Sequence, residues 1–271
     1  MKKLVALFVL ALIAATPAMA FDQLITNDTA AVQEAGTMKA EVTVVYTTAG
    51  DAFDKDGESG ELGDDFTRMM LPVKYRYGVM ENLEAFGVLG LVEQWDSGAA
   101  DDTGIGDLWL GAKYSVMPDG VFTVRGALAI PLGDDEKGLG NAGGFGIDIA
   151  AMTMKQMDAI GLNGQAGIRY SVEDGDTKIQ PGFGFYLDGE GCYSFSDAFK
   201  AQLGLELMFA GDSKFDGNDV DDSAMNAIEL NVGASYNVSE TMGLKGDIIY
   251  DIAGKNTNQN MGVVISFFYS L

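Results

Sequence analysis

The 271-residue sequence has a formal net charge of −23 and contains 36 glycines, one cysteine and no histidine. Such an acidic chain repels nucleic acid through its overall field, while its 47% hydrophobic content excludes a disordered acidic tail. The lack of histidine excludes Ser–His and Cys–His catalysis and, with Cys192 as the single thiol, the common zinc sites. We therefore expect no enzyme and no cofactor.

The first 20 residues have the organisation of a secretory signal peptide. A basic start at Lys2 and Lys3 precedes a short apolar run, and the A-M-A sequence that ends at Ala20 predicts cleavage there. An uncleaved membrane anchor is the alternative, but the apolar run is short for a helix that spans a bilayer. Residues 21–36 are largely polar, and we interpret them as a periplasmic lead-in or partial plug of the domain that follows.

Residues 37–271 alternate between apolar and small or polar side chains, with the period of two that is typical of β-strands. Strands are predicted at 37–47, 66–79, 83–95, 104–116, 121–132, 143–154, 160–172, 177–195, 199–210, 223–238, 242–253 and 261–271. The third strand has two fairly apolar faces, so its register is left open. Connections after even-numbered strands are short, and most of those after odd-numbered strands are longer and acidic, as periplasmic turns and extracellular loops are.

The even strand count and this asymmetry predict an all-β fold, a membrane-spanning antiparallel up-and-down β-barrel of about 12 strands in the outer membrane of a Gram-negative bacterium. A secreted β-sandwich is the alternative. A sandwich would leave one face of each strand wet, whereas nearly every strand here has a tall apolar face. Because an unpaired strand at the end of a chain is prone to aggregate, we predict that residues 261–271 pair with the first strand and close the barrel.

Two stretches resemble a known family. Residues 24–46 read L-I-T-N-D-T-A-A-V-Q-E-A-G-T-M-K-A-E-V-T-V-V-Y, and residues 104–116 read G-I-G-D-L-W-L-G-A-K-Y-S-V. Both are similar to motifs of the outer-membrane family named for the MetA pathway of phenol degradation, whose members are regarded as transporters. The resemblance implies a channel for small solutes, including hydrophobic or aromatic ones, and a C-terminal strand that barrel-insertion machinery recognises.

If the apolar positions face lipid, the positions between them face the lumen. The predicted basic residues of the lumen, mostly in the first half of the barrel, are Arg68, Lys74, Arg76, Lys113, Arg125 and Arg169. The predicted acidic residues, in the second half, are Asp188, Glu190, Glu206, Glu229, Asp247 and Asp251. Because buried charges must be paired or hydrated, two alternatives are open: a narrow aqueous pore that orients solutes between opposite charges, or salt bridges that plug the barrel.

The acidic loops offer a candidate for weak divalent-cation binding at Asp54, Asp56 and Glu58. This stretch resembles the start of a calcium loop, but its glycine spacing and the lack of flanking helices differ from that motif. A solvated loop surface is the alternative.

Passive uptake of small solutes is the function that these features favour. The predicted partners are the solute, outer-membrane lipid, lipopolysaccharide and the insertion machinery, with no nucleic acid. A structural or surface-interaction barrel that acts through its acidic loops is the second hypothesis. The third is an enzyme that uses Asp188, Glu190 and Asp247 for acid–base chemistry.

Overall fold

The alternating residues form β-strands along most of the chain. The computed structural model describes residues 28–97, 101–117, 121–134, 137, 139–140 and 144–271. The strands are β1 (Met38–Phe53), β2 (Ser59–Met80), β3 (Leu83–Asp96), β4 (Asp101–Gly104), β5 (Leu108–Met117), β6 (Phe122–Ile130), β7 (Gly146–Met157), β8 (Ile160–Ser171), β9 (Ile179–Gln180), β10 (Gly184–Ser194), β11 (Phe199–Ala210), β12 (Lys214–Phe215), β13 (Asn218–Asp219), β14 (Met225–Asn237), β15 (Met242–Lys255) and β16 (Thr257–Ser270). The predicted signal peptide and residues 21–27 lie outside the described residues.

One antiparallel sheet closes on itself to form a barrel. Its order is β2-β1-β16-β15-β14-β11-β10-β8-β7-β6-β5-β3-β4, and β2 also pairs with β3. Because β4 and β5 pair with successive parts of β3, they are two pieces of one wall strand, so the described wall has twelve strands. The prediction that the last strand closes the barrel against the first is confirmed, with Val44 opposite Ile265 and Tyr46 opposite Val263.

The two faces of the wall differ sharply in polarity. On β1, Val44 and Tyr46 point outward and are 42% and 47% exposed, whereas Val45 between them points inward and is 1% exposed. Seven outward aromatic residues lie near the short turns: Tyr77, Tyr114, Phe122, Phe195, Phe199, Tyr236 and Tyr269. A contiguous apolar exterior of this kind is stable in lipid and not in water. No helix among the described residues is long and apolar enough to cross a bilayer.

The two ends of the barrel differ in their connections. Short turns at 81–82, 158–159, 195–198 and 238–241 join strands at one end, here called the turn end, where Leu271 also lies. At the opposite loop end, the connections at 131–145 and 211–224 are long, as predicted, and the one at 172–183 is longer than the predicted loop at 173–176. The loop at 211–224 contains β12 and β13, and β12 pairs with β9 in a separate small sheet.

Several of the predicted boundaries are wrong. Residues 101–103, predicted as a loop, belong to β4, and residues 105–107 interrupt the strand predicted at 104–116. The acidic stretch at 50–65 is mostly strand, because β1 and β2 remain paired as far as Phe53 and Ser59. A single residue, Asn256, separates β15 from β16 where a loop was predicted. The strand predicted at 177–195 is divided into β9 and β10, with the break beginning at Pro181, which has no N–H to donate to a ladder.

Candidate functional site in the barrel lumen

The predicted charged residues all lie on the inner side of the wall or are half-buried. Arg68, Lys74, Arg76, Lys113 and Arg125 are at most 7% exposed, and the Arg169 side chain is 13% exposed. Glu206, Glu229, Asp247 and Asp251 are at most 4% exposed, while Asp188 and Glu190 are half-buried. Their roles toward a solute stay predictions, but their burial makes the lumen strongly charged.

A segment that precedes β1 lies inside the barrel. Residues 28–36, here called the inner segment, turn back from the turn end into the lumen. The Gly36 N–H donates to the Gly78 carbonyl at 2.8 Å, and the Thr123 hydroxyl on β6 donates to the Ala30 carbonyl at 2.6 Å. Side chains of the wall therefore satisfy backbone groups of the inner segment, which otherwise would be costly to bury.

Asp28 of the inner segment lies among three cations. Its carboxylate oxygens are 3.1 Å from Lys74 Nζ, 2.9 Å from an Arg76 guanidinium nitrogen and 3.3 Å from Lys113 Nζ. We call these three wall residues the cation site. Lys113 also contacts Glu84, at 3.2 Å. Four of the five side chains come from β2, β3 and β5, which are adjacent in the wall.

A second buried network lies on β6, β7, β8 and β10. The Arg125 guanidinium donates to Asp148 at 3.0 Å and to the Tyr186 hydroxyl at 2.6 Å, and Arg169 is 3.8 Å from the same carboxylate. The Tyr186 ring has room because the residue opposite it is Gly167, where a Cβ would lie 2.1 Å from the ring. A small residue on one strand thus makes space for a large one on the next.

The opposite side of the lumen is acidic. Four carboxylates occupy directly opposed positions on β10, β11, β14 and β15: Asp188, Glu206, Glu229 and Asp251. Asp251 accepts hydrogen bonds from the backbone N–H and side-chain amide of Asn260, at 2.9 and 2.8 Å. Nearer the turn end, Lys245 Nζ is 3.2 Å from Glu190 and 3.7 Å from Asp247.

Several partners of the predicted residues were not among the predicted site residues. Asp28, Glu84 and Asp148 hold basic residues on their own side of the barrel. Alternation indicates that Glu84 and Asp148 share the inner face of their strands, but it does not give the strand register that brings them to Lys113 and Arg125. Asp28 lies outside the strands, so no periodic pattern could have found it.

The metal candidate in the first hairpin has a structural role. Asp54 accepts hydrogen bonds from the backbone N–H groups of Asp56 and Glu58 at 2.8 and 2.9 Å. These bonds lower the pKa of the exposed Asp54 carboxyl from its ordinary value, and the bond from the Glu58 N–H contributes most. No group of three or more His, Cys, Asp or Glu side chains that could hold a metal ion occurs in the described part of the chain. Weak divalent-cation binding at Asp54, Asp56 and Glu58 stays a prediction.

A family model described as "Putative MetA-pathway of phenol degradation" matches residues 25–267. The chain belongs to this family. The match includes the first motif stretch from residue 25, the whole of the second, the inner segment and all but the last residues of the wall. The resemblance seen in the sequence is therefore confirmed. No curated protein matches the sequence.

Solved outer-membrane barrels share the fold. The COG4313 outer membrane channel from Pseudomonas putida F1 is 16% identical, with a TM-score of 0.77 over 89% of this chain and 97% of the other. The translocator domain of the autotransporter NalP from Neisseria meningitidis is 13% identical, with a TM-score of 0.57 over 92% and 91% of the two chains. The chain shares the barrel fold of these outer-membrane proteins, and the turn end of such barrels faces the periplasm.

Proposed function

We propose that the protein is a channel for the passive uptake of small solutes across the outer membrane, hydrophobic or aromatic ones included. The observation that carries this proposal is the wall itself, which is apolar outside and lined by buried cations on one side and carboxylates on the other. A barrel needs no such lining to be stable in lipid, since lumen positions can be filled by neutral side chains. Opposed walls of unlike charge would orient a polar solute that passes between them.

We propose that the inner segment gates the lumen. Ala30 packs against Ala150, Met152 and Tyr186, on strands beyond those of the cation site. Residues 28–36 therefore contact the wall from β2 to β10 and occupy part of the cross-section on that side. The partners that we propose are lipid along the wall, lipopolysaccharide at the loop end, and insertion machinery at β16.

Ion selectivity in planar bilayers tests the channel. Glu229→Gln removes one carboxylate from the acidic side, so the reversal potential in a salt gradient should shift toward anions. Glu240→Gln is the matched control, because Glu240 is exposed in the turn at 238–241, outside the lumen.

A bilayer that stays closed with the native protein and both variants would overturn the proposal. That result would favour the alternative of a structural barrel that acts through its acidic loops. An equal shift from Glu240→Gln would show that the lumen carboxylates do not line the path of the ions.

A further inference from the structure

The cation site holds a carboxylate that does not belong to the wall. The Asp28 side chain is fully buried, and it reaches Lys74, Arg76 and Lys113 at 3.1, 2.9 and 3.3 Å. The three cations stand on strands, whereas Asp28 arrives on the inner segment. The wall is thus built around an anion that a separate piece of chain supplies.

At the cation site, the wall itself supplies one negative charge fewer than the number of its positive charges. Among the described wall residues, the carboxylates within 4 Å of the three cations are Glu84, which is 3.2 Å from Lys113, and Glu41, which is 3.8 Å from Arg76. Three positive and two negative charges leave one positive charge for Asp28 to balance. An uncompensated buried charge is costly, so a site without Asp28 would attract another anion.

An apolar surface borders the cation site. Phe86 lies opposite Arg76 in the β2–β3 ladder, and Val88 lies opposite Lys74. Phe86 and Val88 pack with Trp109, Ala127 and Ala129 in one buried cluster. The Lys74 ammonium is 5.6 Å from the centre of the Phe86 ring, so the charged and apolar surfaces are continuous.

This combination matches one chemical class. Cations on two strands bind a carboxylate through charge-assisted hydrogen bonds, and an adjoining apolar wall takes a hydrophobic body. We propose that the cation site binds small organic acids that carry one carboxylate on an apolar body, and that Asp28 is a built-in occupant which such a solute displaces. This inference rests on the proposed channel function and names the solute class for it.

Displacement would release the inner segment from the wall. A tethered competitor acts at an effective concentration on the order of millimolar, so a free acid should displace Asp28 at roughly millimolar concentration. Without the competing carboxylate, the same acid should bind at least about tenfold more tightly.

Calorimetric titration of the refolded full chain tests the site with four probes. Benzoate has both a carboxylate and an apolar body, benzamide lacks the charge, acetate lacks the body, and inorganic phosphate is an anion without carbon. We expect benzoate to bind Asp28→Asn at least about tenfold more tightly than the native chain. Acetate and phosphate should bind more weakly than benzoate, and benzamide should not bind.

Two further variants locate the binding. In the Asp28→Asn background, Lys113→Met should abolish the heat of benzoate binding. Lys200→Met is the matched control and should not, because Lys200 lies on β11, away from β2, β3 and β5. Equal benzoate affinity with and without Asp28, or benzamide or phosphate binding as tightly as benzoate, would overturn the inference.

Conductance provides a readout on the native chain that needs no variant. Millimolar benzoate should raise the conductance of the native channel, and benzamide should not. A channel that conducts but neither binds nor responds to benzoate would overturn this inference and leave the channel function intact. Benzoate binding to a barrel that never conducts would reject the channel function and leave the binding site.

Discussion

Asp148 holds two arginines in a buried part of the lumen. Its carboxylate is 3.0 Å from Arg125 and 3.8 Å from Arg169, and it accepts a hydrogen bond from the Tyr186 hydroxyl. Asp148 and Arg125 have fully buried side chains. Removal of one partner of such a pair leaves the other charge buried without compensation, which costs more than the pair itself is worth.

Asp148→Asn should therefore be strongly destabilising. We expect the free energy of unfolding to fall by about 3–5 kcal/mol, as is typical of broken buried pairs. Urea unfolding in detergent micelles measures it. Asp134→Asn is the matched control, since Asp134 is 3.6 Å from Lys137 with both side chains about half exposed, and its loss should cost less than about 1 kcal/mol. Equal losses in the two variants would contradict the role of burial.

Alternation predicts the face of a residue but not its neighbours. Arg125 and Asp148 are both assigned to the inner face by the period of two, yet their contact depends on the register of β6 against β7, where Asp148 is opposite Ala127. Register depends on the closure of the whole barrel, so the pairs of the candidate site could not be predicted from local sequence.

The inner segment is an element without regular hydrogen bonding, and it depends on close contacts with the wall. Gly78 of β2 provides one of them, because a Cβ there would lie 2.0 Å from the Glu34 carbonyl oxygen. The neighbouring Val79 points outward and is 44% exposed. A side chain at position 78 would therefore push against the segment without a change of charge.

Gly78→Leu should detach the inner segment. The clash costs about 1–3 kcal/mol, which shifts the ratio of detached to attached segment by roughly 5- to 150-fold. Single-channel recording should show a larger open fraction for this variant. Val79→Leu places the same side chain on the lipid side and should behave as the native chain, whereas an unchanged open fraction in Gly78→Leu would show that the segment does not gate the lumen.

Most strands could be predicted from the sequence, and the errors in their predicted boundaries have physical causes. Residues 50–53 and 59–65 extend a hairpin beyond the apolar band, where acidic side chains are solvated and do not prevent pairing. The stretch from 177 to 195 reads as one long, glycine-rich strand bent near Pro181, but only Gly184–Ser194 lies in the barrel wall, and Ile179–Gln180 pairs with β12.

At the scale of the whole molecule, the barrel has an exterior that only lipid can cover. Ile265 lies outward on β16, 52% exposed, opposite Val44 and about midway along the last predicted strand. Val238, 52% exposed, follows β14 at the turn end. The two residues are equally exposed but differ in depth within the bilayer.

Arginine at these two positions tests the position of the membrane. Ile265→Arg should make folding into lipid bilayers less favourable by about 2–4 kcal/mol, because the bilayer midplane excludes charge. Val238→Arg should cost about 0–1 kcal/mol, since it lies near the interface. Denaturant-dependent folding into phosphatidylcholine vesicles measures both, and equal costs would contradict the assigned depth.

The closing seam between β1 and β16 has a consequence for assembly. No residue of β16 is charged, and at mid-height the Thr43 and Ser266 hydroxyls are hydrogen-bonded at 2.8 Å while Val45 faces Val264. The ion pairs of Lys113 with Glu84 and of Arg125 with Asp148 lie within β3 to β7, so they can form on an open sheet before β1 and β16 pair. Pairing of β1 with β16 therefore involves no charged residue at mid-height, and we expect salt to change the lumen more than it changes the joining of the two ends.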